Sequence, residues 1–420
     1  MTVHRADVDG TSTGVPPLRI LLAGQAASSL GDWMGTVALM ALVLELTGSA
    51  TAVGGVLVLR LAPTVLAGPL AARLVRRWSR RRIMLAMDAV RIPAALVLPW
   101  ITELWWIYTW AVVIEVAGMV FLPARDASIP DLLEPDDDLA VANGFVLGTS
   151  YGMIPVGAGL FAAVAAIAGG DVGAGAARVV FAVDALTFVV SFLAISRLPE
   201  LGTGVSPSAP ATSGTFRDAL HLPIVRHLAL VAAAVAAGLG ALFSVGIVWV
   251  RNVLAANDTE FGLLVACFGA GAAVGLGVLR VVSRRGLTFV RSLLVLQGSV
   301  VAAMSLAPVI GLAFLGAAGF GALTAMVLAT SMEVLQNRTE PRERLLAFTA
   351  FHVVIRGALS LAAMAAGVAV DLLDEVDWPL VGDIAASQVV LLSSGLLVLV
   401  VALKNGRTTE ASAADPLPLE

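Results

Sequence analysis

Charge is what this sequence lacks most: Asp, Glu, Lys and Arg make up 13% of its 420 residues, against about a quarter in soluble domains. A soluble fold of this length could not hide the 59% of residues that are hydrophobic, so a water-soluble protein is excluded. The single cysteine, Cys267, excludes both a disulfide framework and a Cys-based metal cluster. Of four histidines, His4, His221 and His227 fall in polar or linker regions, and no His-based metal site is evident. No Gly-Lys-Ser/Thr phosphate cradle is present, which excludes ATP hydrolysis through a P-loop, and no cofactor or metal is expected. The net charge of −4, from 26 basic and 30 acidic residues, is too weak and dispersed for a nucleic-acid partner. The residues before Leu18 are polar and end in Pro, so no removable signal peptide is expected.

What the chain has instead is long apolar runs. Crossing a hydrocarbon core takes about 20 apolar residues, and barrel strands would alternate rather than run continuously. The runs predict an all-α membrane protein with twelve transmembrane helices, near 18–46, 50–72, 81–100, 104–125, 138–167, 177–197, 224–250, 259–282, 287–306, 309–336, 342–371 and 378–403. The longest polar interruption, PELGTGVSPSAPATSGTF, is rich in Gly, Ser, Thr and Pro and reads as a linker between two halves. The expected organisation is a cytoplasmic tail over 1–17, a six-helix bundle over 18–198, a cytoplasmic linker over 199–222, a second six-helix bundle over 223–403 and a cytoplasmic tail over 404–420.

Orientation follows from the basic residues. The tails and the connections on one side hold 21 of the 26, including six arginines from Arg73 to Arg82, whereas the other side holds Arg178, Arg251 and an acidic group around Asp371 and Asp374. The Arg-rich side is therefore expected in the cytoplasm, with both termini. A shift of 207 positions lays Gly55, Gly68, Arg73, Val75 and Arg77 on Gly262, Gly275, Arg280, Val282 and Arg284, an internal repeat near half the chain length that suggests pseudo-symmetric bundles.

Two six-helix halves, a central linker and a basic loop after the second helix of each half resemble the major facilitator superfamily. Four runs resemble its drug-and-siderophore exporter branch, with enterobactin-exporter-like and macrolide-efflux-like permeases: LLAGQAASSLGDWMGTVALMALVLELTGSATAVG, GPLAARLVRRWSRRRIM, FLPARDASIPDLL and FAVDALTFVVSFL. The resemblance covers nearly all of 18–403 and implies alternating access. It also implies export of a small apolar or amphipathic compound, such as a drug, antibiotic or siderophore, from the cell by proton antiport, with multidrug resistance as the physiological setting. A monomer with a small-molecule substrate, protons and the lipid bilayer as partners is expected. The alternatives are a facilitator or importer of a small metabolite on the same fold and, further off, a non-transporting membrane sensor or enzyme. The family's loop pattern after the second helix carries Asp where this chain has Arg76, a charge reversal in a segment that relatives use as a cytoplasmic latch. The bland reading of that loop is a positive anchor at anionic lipid.

Charges inside spans usually have a partner or a wet cavity. In the first span Gln25, Ser28, Ser29, Asp32 and Thr36 fall within about 60° of one direction at 100° per residue. They form a candidate substrate cavity or path. Asp32, with no basic neighbour one turn away, is the first candidate for proton coupling, and a helix-packing carboxylate is the competing reading. Glu115 in the fourth span is the second candidate; the family's fourth-helix arginine would fall at Ile114 and is missing. Asp88 and Arg91, three residues apart, can pair within one turn. Together with Arg76, Arg77 and Arg125 they are expected to form a cytoplasmic gating network. In the eleventh span Thr349, His352, Arg356 and Ser360 share a face, and His352 and Arg356 are expected to line the cavity or path. GTSYGMIPVGAGL partly resembles the antiporter motif, with Pro155, Gly157 and Gly159 as a helix-interface motif. Asp184 is read as structural, and Trp105, Trp106, Tyr108 and Trp249 as interfacial anchors near outer helix ends.

Overall fold

The computed structural model describes residues 16–61, 74, 77–133, 139–202, 221–282, 286–306, 309–339, 343–375 and 384–413. Among them it is all-helical. The helices are α1 (Pro17–Thr47), α2 (Ala50–Leu61), α3 (Arg80–Val97), α4 (Leu104–Leu132), α5 (Leu139–Tyr151), α6 (Ile154–Ile167), α7 (Ala174–Ser196), α8 (Pro223–Asn252), α9 (Asp258–Leu279), α10 (Leu287–Leu306), α11 (Ile310–Arg338), α12 (Arg344–Asp374) and α13 (Ala386–Ala413). Eleven segments are long and apolar enough to cross a membrane, and α2 is a shorter apolar helix. The rest of the second predicted span, with Arg73 and Arg76 of the basic loop, lies outside the described residues, as do most of the N-terminal tail and of the linker.

Local chemistry sets the boundaries. Proline in the first turn opens α1, α6 and α8, where a missing N–H costs no helical bond. Gly48 closes α1 in the left-handed region at φ 64°, its N–H bonded to the Leu44 carbonyl. Asn257 caps α9 in a reciprocal pair with Glu260.

Two boundaries differ from the sequence reading. The single span expected over 138–167 is two helices with a break at Gly152–Met153. Pro155 has no N–H to offer the Tyr151 carbonyl, so the ladder stops one turn before it. The fourth span does not stop at Arg125: α4 continues through Asp126 and Pro130 to Leu132. Its polar tail stays helical because its groups are satisfied: Ser128 donates to the Ala124 carbonyl (2.7 Å), and Arg80 reaches both the Ala127 carbonyl and the Asp131 carboxylate.

The packing repeats along the chain. α1 lies on α7 as α8 lies on α13, α3 on α7 as α10 on α13, α2 on α4 as α9 on α11, and α3 on α4 as α10 on α11. The two sets of helices meet chiefly along α2 with α12 and α6 with α9. Glycine allows both approaches: a Cβ on Gly54 would lie 2.6 Å from the Ala363 carbonyl oxygen, and one on Gly269 would lie 2.7 Å from the ring of Pro155. Without a hydrophobic drive between helices in lipid, such close backbone contact is what holds them.

Candidate functional site

Asp32 is not alone. The structure brings three residues predicted for two separate roles into one cluster. Arg91 of α3 pairs with Asp88 one turn earlier, its Nη1 lies 3.9 Å from Asp32 Oδ2 on α1, and the same nitrogen donates to Ser28 Oγ (3.4 Å). The guanidinium carbon sits 4.4 Å from the Phe188 ring centroid and 4.9 Å from that of Phe121, so aromatic faces from α7 and α4 hold it on two further sides. The Asp88 side chain has no exposure and that of Arg91 4%, whereas Asp32 retains 30%. A buried ion pair thus stands behind one partly exposed carboxylate.

The rest of the first-span stripe is packed away. Gln25, Ser28, Ser29 and Thr36 are all buried. Gln25 donates to Ser29 Oγ (2.8 Å), and Thr36 returns its hydroxyl to the Asp32 carbonyl (2.5 Å). The neighbouring glycine explains why α1 comes so close to α7: a Cβ on Gly31 would strike the side chains of Asp184 and Thr187, and one on Gly35 would sit 3.2 Å from Asp184 Oδ2. Asp184 is itself buried.

The predicted gating network is not assembled as expected. Arg125 does not join Asp88; it pairs with Asp126 (2.7 Å) and donates to Ser150 Oγ (3.4 Å), because its sequence neighbour and α5 offer nearer acceptors. Arg77 is exposed, and Arg76 lies outside the described residues. Arg80 and Arg81 make the basic contacts of this end instead. Arg81 donates to the Ile195 carbonyl (3.2 Å) and Glu200 (3.1 Å), and Arg80 to the Gly202 carbonyl (3.2 Å).

Glu115 is half-buried midway along α4, and one turn on Met119 meets Arg356 of α12, with Nη1 3.7 Å from the sulfur. That contact crosses between the two sets of helices. His352 is exposed, with Nδ1 2.9 Å from the Phe348 carbonyl; Ser360 donates to the Arg356 carbonyl (3.1 Å). Of the α6 motif, Pro155 abuts Gly269 of α9, and a Cβ on Gly157 would lie 2.6 Å from the Leu30 carbonyl oxygen of α1; Gly159 faces open space.

Sequence reasoning missed a second constellation, at the end of the molecule away from the chain termini. Arg251 of α8 donates to both oxygens of Asp258 (2.8 and 2.9 Å) and to Glu45 of α1 (2.8 Å). Asp258, with no exposed side chain, also accepts from the Val172 amide (2.8 Å), and the Thr259 amide donates to the Gly170 carbonyl (3.2 Å). Asp371 of α12 accepts from Ser49 Oγ (2.6 Å) and from the amides of Ala50 (2.9 Å) and Thr51 (3.0 Å) at the start of α2. Every one of these bonds except Arg251–Asp258 joins α1–α7 to α8–α13. Their signal in the sequence was a cluster of charges at span ends. Trp249 departs from expectation too: it is 1% exposed and belongs to the core rather than to a lipid interface. It lines an apolar recess among α8 to α11, with Phe243, Phe268 and Met304.

Comparison with known proteins agrees with this architecture. A segment of 116 residues is 29% identical to an uncharacterised MFS-type transporter, YfiS, of Bacillus subtilis (strain 168), and spans 27% of this chain and 28% of that relative's length. The nucleoside transporter NupG superposes with a TM-score of 0.72 at 13% identity, over 94% of this chain and 99% of that one. A bacterial homologue of the lysosomal transporter Spinster, in an inward-facing, unoccupied conformation, also gives 0.72, at 15% identity over 94% and 97%. A bacterial homologue of ferroportin, also inward-facing, gives 0.68 at 14% identity over 93% and 98%. These levels of identity show a common fold, and that fold, like the family, is one of transporters. Residues 21–363 match the Major Facilitator Superfamily, and the chain belongs to it.

Proposed function

We propose that the chain is a secondary active transporter of the cytoplasmic membrane that exports a small apolar or amphipathic compound in exchange for protons. The observation that carries this reading is Asp32: the one partly exposed carboxylate of a cluster otherwise buried, on a helix that touches both sets. With two carboxylates and one guanidinium, that cluster carries one negative charge when fully ionised, and a single proton cancels it. One proton crossing about 100 mV releases about 2.3 kcal/mol, and one pH unit adds about 1.4 kcal/mol. Together they sustain a substrate gradient of several-hundred-fold, roughly, at one proton per molecule.

Alternating access supplies the rest. The Arg-rich ends of the helices are proposed to lie in the cytoplasm by the distribution of basic residues, which puts the end tied by Arg251 and Asp371 on the outer side. Glu115, His352 and Arg356 are proposed to line the path, with Arg356 and Met119 closing it between the two sets. The protein works as a monomer with both termini in the cytoplasm. One observation favours a second reading, a facilitator or importer of a small metabolite: Arg76 stands where the family's loop pattern has Asp, so the latch that times antiport in relatives is altered here.

The test uses proteoliposomes with an imposed pH gradient and ethidium as the amphiphilic probe. Dye movement against its own gradient is expected for the native chain and is abolished by collapsing the pH difference; Asp32→Asn leaves only downhill movement. Proton-driven accumulation that persists in Asp32→Asn, or dye flux indifferent to pH in the native protein, overturns the proposal.

A further inference from the structure

Arg91 occupies a position that neither a simple ion pair nor a simple gate requires. Asp88, its partner one turn away, would neutralise it without help, yet its second terminal nitrogen is turned across to α1, toward Asp32 and Ser28. Phe121 and Phe188 stack on the guanidinium, so the group cannot swing between the two carboxylates without leaving both rings. A planar fork held in this way presents one nitrogen to each carboxylate at fixed distance, which an ammonium on a flexible stem could not do.

We infer that Arg91 is a positioning residue that sets the proton affinity of Asp32, with Asp88 as the counterweight that fixes how much of the positive charge Asp32 feels. Among the described residues, the other ionisable groups near Asp32 are few. On α7, Asp184 flanks it at Gly31 and Gly35. α4 carries Glu115 at mid-length, α6 carries no ionisable side chain, and Glu45, Arg251 and Asp258 stand three turns further along α1. The two members of the Asp88–Arg91 pair therefore act on Asp32 with opposite sign. Removing Arg91 leaves Asp32 facing a second carboxylate; removing Asp88 leaves it facing an uncompensated cation. A merely structural pair behaves differently, since losing either partner breaks the same bond.

This inference rests on the transport reading for its purpose but not for its test. Dicyclohexylcarbodiimide modifies protonated carboxyls in apolar sites, and fragmentation mass spectrometry that places the adduct on Asp32 rather than on Glu45 of the same peptide gives the fraction modified as a function of pH on purified protein, without substrate. The pH of half-modification is expected to move up by about one unit or more in Arg91→Gln and down by a similar amount in Asp88→Asn. In the neutral double variant, with Asn and Gln in place of the pair, it returns to within about half a unit of the native value, because a buried ion pair can be exchanged for a neutral pair of similar shape. Shifts in the same direction, or no shift, overturn the inference. If the single variants do not give a monodisperse protein, Arg91→Lys replaces them. It keeps the charge and loses the fork, so an upward shift supports the role of positioning and an unchanged midpoint refutes it. Asp32→Asn separates the two ideas: it removes the Asp32 adduct in every case, whereas only the transport assay reports whether Asp32 couples flux.

Discussion

The two ends of this molecule are held together by different bonds. At the end away from the termini, Arg251, Asp371, Val172 and Gly170 tie α1–α7 to α8–α13 through charged and backbone groups. At the other end, the contacts of Arg80 and Arg81 stay within the first set, reaching Asp131, Ile195, Glu200 and Gly202. Among the described residues, one end is therefore fastened between the two sets of helices, whereas Arg80 and Arg81 at the other end fasten only the first set. The bonds of the first kind must break if the path is to open on that side, and those of the second need not change at all.

Three substitutions probe that difference. The largest effect is expected from Arg251→Ala, which leaves Asp258 buried without a counter-charge and cuts the link to Glu45. Removing one partner of such a pair costs about 3 to 5 kcal/mol, read as a lower Tm in detergent. Spin labels at the exposed positions Leu46 and Glu375 should separate by electron–electron distance measurement. Next, Asp371→Ala removes the acceptor for two α2 amides and a hydroxyl and costs about 1 to 2 kcal/mol; the same label pair should show a second, longer distance beside the native one. The smallest is Arg81→Ala. Its Glu200 partner is largely exposed and surface pairs contribute at most about 1 kcal/mol, while the bonds to the Ile195 and Ser196 carbonyls at the end of α7 are lost as well, so the Tm should fall by less than in the other two variants and the label distance should not move. A lengthened distance in Arg81→Ala, or an unchanged one in Arg251→Ala, would erase the distinction between the two ends.

Much of the fold was legible because a bilayer imposes a simple rule: long apolar runs become helices. Eleven of the expected spans appear as helices long and apolar enough to cross, and the second appears in its first turns. Where reading failed, the cause was local satisfaction of polar groups. A charge at Arg125 looked like the end of a span, yet Asp126, Ser150 and Arg80 make the following turns comfortable as helix. The site was legible as residues but not as a site. Spacing along one helix finds Asp88 with Arg91, which are three positions apart; it cannot find Asp32 with Arg91, which come from different helices. For the same reason Asp32 looked unpaired, and Arg125 looked like a partner for Asp88. The cross-contacts of Arg251 and Asp371 were visible only as charges that help orient the chain, since their partners lie 206 and about 320 positions away.

The carboxylate of Asp371 finishes a helix that belongs to the other half of the molecule. The first amides of α2, at Ala50 and Thr51, are protected only while α12 stands against them. If the proposed alternating access opens that end, both N–H groups pass to water, and the hydrogen-exchange rates of two backbone positions then report the opening. On that proposal, a timed deuterium pulse on the unlabelled, unmutated chain would separate the molecules in which α12 covers these two amides from those in which it does not.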